Sequence, residues 1–156
     1  MSLVSILKRG HRDFLSAISA APSGPASGGW SMLECIEHVV LYEQRYHDWL
    51  EGAADAAYRR DADRELRLFS IVRNRLEKID TPEIFHPHGC FATIEAAAAA
   101  FEQVRDRTVR TVEERGDDLY RISVRHPYFG IVNGAELVHI IDGHCRRHAD
   151  QIREQS

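Results

Sequence analysis

At 156 residues with 44% hydrophobic side chains, the chain is long enough to bury roughly two thirds of its unfolded surface, which excludes a disordered segment. A formal net charge of −4 excludes nucleic acid as the main partner, because phosphate recognition needs a basic face. No run approaches the ~18 apolar residues of a membrane span, and the opening MSLVSILKRGHRDFL places charges where a secretory leader needs an unbroken apolar core.

Helical periodicity runs almost throughout. From Val4, apolar residues recur at Leu7, Phe14, Leu15 and Ile18, the pattern of an amphipathic first helix. APSGPASGG (21–29) breaks it with two prolines and three glycines, a loop within one domain. Ser31 and Glu34 have capping-box spacing and open a second helix, with Trp30 placed to staple onto its first turn. That helix should run to about Glu51.

A third helix is expected over Asp63–Ile79, stopped by Thr81-Pro82, and PEIFHPHGCFAT (82–93) reads as irregular. A fourth is expected from Ile94 to Val112, before Gly116. Asp118–Gly130 reads as a second irregular stretch, with RISVRH (121–126) too isolated for a strand. Asn133 and Glu136 repeat the capping arrangement and open a last helix to about Arg153. The whole chain, 1–156, is expected to be one all-α domain: a four-helix bundle with long crossover connections and one shorter extra helix.

The last helix carries the chemistry. Its stripe runs Leu137, Ile141, His144, His148 and Ile152, and residues four apart differ by only about 40° around the axis. Two imidazoles on one apolar face cannot both charge cheaply, whereas a shared metal needs them neutral and lone-paired. The plainer reading is two core histidines with ordinary polar partners. His38 is the third candidate ligand, sharing a face of the second helix with Cys35, Leu41 and Tyr42.

Other histidines fit less well. His139 lies about 140° from His144 and 180° from His148, and His47 lies about 180° from His38, as a surface residue would. His11 falls in the first helix's stripe and reads either as a satisfied core histidine or as a group bracing the site or touching substrate. His86-Pro87-His88-Gly89-Cys90 looks metal-like but lies in a loop. Cys35 could line the site, although a small buried hydrophobe is the simpler role. Cys35, Cys90 and Cys145 are odd in number and lack CxxC spacing, which argues against a disulfide framework and for the cytoplasm.

Three neutral nitrogens leave an open coordination position, as in catalytic zinc sites, and permit zinc, nickel or another first-row ion. WSMLECIEHVVLYE (30–43), HPYFGIVNGAELV (126–138) and GHCRRHADQI (143–152) together resemble the DinB/YfiT-like superfamily of small helical bundles. The resemblance implies one divalent metal ion on His38, His144 and His148, the set that the spacing also selects. It further implies a metal-dependent transferase or hydrolase-like enzyme acting on a small molecule with a low-molecular-weight thiol (bacillithiol, mycothiol or glutathione), and a homodimer. His11, Tyr42 and Arg105 are candidate lining residues, Arg105 being more simply a solvated helix residue. The alternatives are a bundle in which the metal is structural, and a metal-free bundle acting through partner contacts.

Overall fold

A computed structural model of the protein describes residues 1–21, 29–77 and 80–154. Helix α1 spans Leu3–Ala20, with the Ser2 side chain accepting from the Ser5 N–H at its start. Helix α2 spans Met32–Glu51 and opens on the expected capping box: the Ser31 hydroxyl accepts from the Glu34 N–H at 3.1 Å, and the Glu34 carboxylate accepts from the Ser31 N–H at 3.0 Å. The Trp30 ring packs against His38, centroids 4.6 Å apart. The loop expected over 21–29 lies, for 22–28, outside the described residues.

Helix α3 is shorter than expected, Ala62–Arg73. The Asn74 carboxamide accepts the Leu76 N–H at 2.9 Å, an Asx turn that competes with further helix. Positions 78 and 79, at the expected helix end, lie outside the described residues. A short 3-10 turn, Glu83–Phe85, precedes helix α4, Ile94–Arg115, which stops at Gly116 with φ of 51°. Helix α5, Gly134–Glu154, opens on the second expected box: Asn133 and Glu136 exchange two 2.8 Å bonds between side chain and backbone N–H.

RISVRH was expected to stand alone, but Ile122–His126 is the central strand of a small antiparallel sheet. Call the strands β1 (Ala54–Asp55), β2 (Ile122–His126) and β3 (Gly130–Asn133), in spatial order β1-β2-β3. The β2–β3 hairpin pairs Val124 with Val132 and His126 with Gly130, whose φ of 74° closes the three-residue turn. The sheet runs directly into α5 and fixes where that helix begins.

Helix α5 is the hub. It packs against α1, α2 and α3, while α4 closes the bundle against α1 and α2. Sixteen of its residues are buried, so it carries far more than the one apolar stripe its sequence suggested. Gly143 lets α3 approach: a Cβ there would stand 2.9 Å from the Phe69 carbonyl.

Polar groups join the helices where apolar contact cannot. The cap carboxylate of Glu136 accepts from Arg59 at 2.6 and 2.8 Å and from Arg64 at 2.9 Å. Arg105, expected to be solvated, is fully buried. Its guanidinium donates to the Glu43 carboxylate at 2.8–3.1 Å, to the Leu7 carbonyl at 2.9 Å and to Asp142 at 3.3 Å, tying α4 to α2, α1 and α5. Burying a guanidinium is tolerable only with its donors satisfied and its charge balanced, and both conditions hold here.

Candidate metal centre

His38 projects from α2, and His144 and His148 from successive turns of α5, so that three imidazoles meet between the two helices. The Nε2 atom of His144 lies 2.9 Å from that of His38 and 3.2 Å from that of His148. The three residues are only 2%, 7% and 6% exposed, in chain order.

The outer nitrogens decide the protonation. The Nδ1–H of His38 donates to the Phe85 carbonyl at 2.7 Å, and that of His148 donates to the Gln151 side-chain oxygen at 2.8 Å. Each bond places the ring proton on Nδ1 and leaves the Nε2 lone pair facing the centre. A single proton on His144 could bridge to one neighbour but not satisfy both. A divalent cation satisfies all three, since tetrahedral zinc with Zn–N near 2.0 Å separates its nitrogens by about 3.3 Å. The donor set therefore fits a metal ion, and a modest outward adjustment completes it.

Burial keeps the rings neutral. It lowers His38 to about 4, against a small upward pull from its bond to Phe85. His144 and His148 are held well below the usual histidine range by burial and then by neighbouring positive charge. Protons therefore compete poorly with a cation at neutral pH.

Aromatic rings line the pocket. Tyr42 stacks on His144 and on Tyr46, whose ring centroid is 4.0 Å away, and Phe85 packs against both tyrosines. Beyond them the His126 Nδ1 accepts N–H bonds from Tyr128 and Phe129 at 3.0 and 3.1 Å. Its proton is thus on Nε2, which donates to the Tyr46 hydroxyl at 2.6 Å. Cys35 is fully buried with its Sγ 3.5 Å from the His148 Nδ1; burial pushes the thiol up to about 12, so it stays protonated.

Helical spacing thus brought together His38, His144 and His148, with Tyr42 and Cys35 beside them. The other candidates lie elsewhere. His11 packs edge-on to Phe101 and pairs with Glu102 at 3.3 Å, a satisfied histidine. His47 is not a surface residue: it is 1% exposed, with Nε2 2.9 Å from the Thr111 hydroxyl. The face opposite His38 is covered by α4, so 180° of rotation did not mean solvent. His139 is buried on the far side of α5, 3.2 Å from Glu65. Cys145 points to the Gly10 carbonyl. Gln151 and the Phe85 carbonyl were missed; Gln151, three residues after His148, was recognisable by helical spacing, whereas a backbone carbonyl leaves no residue signal.

A model of the DinB superfamily matches residues 15–152, taking in all three histidines, the whole of α2 and all but the last two residues of α5. The chain belongs to the DinB superfamily. No curated protein and no solved structure matches it. Among the described residues of this DinB-superfamily chain, no helix is long and apolar enough to cross a membrane, and all three cysteines are free.

Proposed function

We propose that the protein is a divalent-metal-dependent enzyme, a transferase or hydrolase-like catalyst that uses a low-molecular-weight thiol as co-substrate, with His38, His144 and His148 as the metal ligands. The observation that carries this reading is the convergence of three neutral Nε2 atoms, with the outer nitrogens of His38 and His148 already engaged. When bound, a divalent ion supplies Lewis acidity that lowers the pKa of a thiol or water.

The chain's own residues hold and orient. The Phe85 carbonyl and Gln151 fix two ring planes, Tyr42 fixes the third, and Trp30 covers His38. Three uncharged ligands leave a divalent ion its full positive charge, the condition that favours an anionic nucleophile. The small-molecule substrate and the homodimer rest on the family resemblance, the zinc-or-nickel preference on the nitrogen donors, the single domain on the chain length, and the cytoplasmic location on the unpaired cysteines.

The test is metal analysis followed by turnover. Untagged protein should carry about one equivalent of zinc or nickel at this centre, and His144→Ala should lose it. Metal-loaded protein should then consume an electrophile only when bacillithiol, mycothiol or glutathione is supplied. A loaded protein inert with all three thiols across a panel of electrophiles removes the enzymatic part of the reading.

A second reading has its own support. The ligands are 2–7% exposed and join α2 to α5, as in a metal that braces helices. Under that reading chelation lowers the melting temperature, and no turnover accompanies loading.

A further inference from the structure

Glu37 precedes His38 on α2 and turns its carboxylate toward the segment after the 3-10 turn. There it accepts three backbone N–H bonds: His88 at 2.6 Å on Oε2, and Gly89 and Cys90 at 3.1 and 3.0 Å on Oε1. Gly89, at φ +84°, lets the backbone wrap the carboxylate in this way. The side chains of His88 and Cys90 fold back over it. The His88 Nε2 lies 3.0 Å from the Cys90 Sγ, and its Nδ1 lies 3.6 Å from Glu37 Oε2.

We propose that Glu37, His88 and Cys90 form a second, solvent-facing site for a divalent first-row ion of the zinc type. One ligating atom from each residue lies within 4.8 Å of the others. Tetrahedral zinc, with Zn–S near 2.3 Å and Zn–N near 2.0 Å, places sulfur and nitrogen about 3.5 Å apart, inside that spread. Oε1 accepts two backbone N–H bonds and Oε2 one, and Oε2 is the oxygen nearer the His88 ring, 3.6 Å from its Nδ1. The His88 side chain is 68% exposed, so its ring can turn to present one nitrogen to both the sulfur and the oxygen.

The chemistry differs from that of the histidine centre. The donors there are three neutral nitrogens buried between two helices; here they are a thiolate, an imidazole and a carboxylate at the surface, whose two negative charges match a divalent ion. Binding releases the Cys90 thiol proton to solvent. Without a cation, slight desolvation and then the neighbouring Glu37 carboxylate hold the exposed Cys90 thiol up in its protonated form. The loop does not need these side chains for its own structure, because Glu37 holds it through backbone N–H groups.

Cobalt separates the two sites, since only a sulfur ligand gives a thiolate-to-cobalt charge-transfer absorption in the near ultraviolet. Titrating the full chain with Co²⁺ should produce that absorption in the wild type, in His144→Ala and in Cys35→Ser. Cys90→Ser and His88→Ala should abolish it; both positions are exposed, so folding is preserved. With Zn²⁺ the wild type should bind two equivalents, and Cys90→Ser and His144→Ala one each. A Cys90→Ser protein with undiminished zinc stoichiometry, or an absorption that vanishes only with Cys35→Ser, overturns the second site. One wild-type equivalent, lost in Cys90→Ser and kept in His144→Ala, would instead remove the histidine centre and leave this site standing.

Discussion

The Tyr42 ring lies flat on the His144 imidazole, with centroids 3.4 Å apart and planes within 5° of each other. His144 is the middle imidazole of the three, its Nε2 within 3.2 Å of both neighbours, so its orientation sets the aim of the whole group. A flat aromatic neighbour restricts that ring as a hydrogen bond restricts the other two. Tyr42→Leu should weaken zinc affinity at the histidine centre about 10–100-fold, the range for groups that orient a ligand, while Tyr42→Phe keeps it near wild type. Competition against a chromophoric chelator, in a Cys90→Ser background, measures both. Equal affinities for the Leu and Phe variants would mean that the stack does not orient the ligand.

An ion held by α2 and α5 stabilises the fold only through differential binding to the native state. At free metal near a thousand times Kd this amounts to about 4 kcal/mol, or on the order of 10 °C in melting temperature for a chain of this size. In a Cys90→Ser background, chelation should therefore lower the transition by roughly that amount, and adding His38→Ala should give a melting temperature that chelator does not change. Calorimetry with and without chelator checks it.

Arg105 holds the centre of the buried polar network. Arg105→Met removes the cation but leaves Glu43 and Asp142 buried, both 1% exposed, without their partner. The expected loss is about 3–5 kcal/mol. Arg105→Lys restores the charge without the fork of donors and should fall between the two. Urea denaturation at pH 7 ranks the three proteins; a Met variant as stable as the wild type would show that the network contributes specificity rather than stability. Gly10 has no room for change beside it, because a Cβ there would collide with the Asp142 carboxylate, so Gly10→Ala should lower stability as well.

His126 gives a pH signature. Burial lowers it to about 4, and protonating its Nδ1 would also break the two N–H bonds it accepts. Its folded pKa is below the unfolded value of about 6.5, so the unfolded chain takes up the proton first as pH falls. The contribution is therefore complete above about pH 6.5 and is lost progressively down to about pH 4. Its size is on the order of 3 kcal/mol. His126→Gln should be less stable at pH 7 and should show a shallower decline between pH 6.5 and 4. Parallel slopes for the two proteins across that interval would assign the acid sensitivity to other groups.

Much of this was legible from spacing because the relevant contacts are local. Both capping boxes join residues three apart, and His144 and His148 are four apart on one helix, so the 3.6-residue period places them without tertiary knowledge. The failures are non-local. Strand β1 has two residues and pairs with a segment 67 or more positions away, so no run of alternation could announce it. Arg105 finds its counterions 62 positions back and 37 ahead. His47 was misjudged because α2 is covered on more than one side. The Phe85 carbonyl that orients His38 lies in an irregular segment, where no periodicity operates.

The two sides of the histidine centre are unequally anchored. Helix α5 carries two of the histidines through the middle of the bundle, hemmed in by three other helices and fastened at its start to the sheet. The third histidine belongs to α2 and is aimed by a short stretch around Phe85, which Glu37 clasps a few residues further on. An ion leaving or entering needs only that lighter half to open, by a local fluctuation smaller than global unfolding. If an ion is held there, its exchange should be set by the 83–90 segment, and two proteins with identical histidines but different sequences there should trade metal at different speeds while melting at similar temperatures.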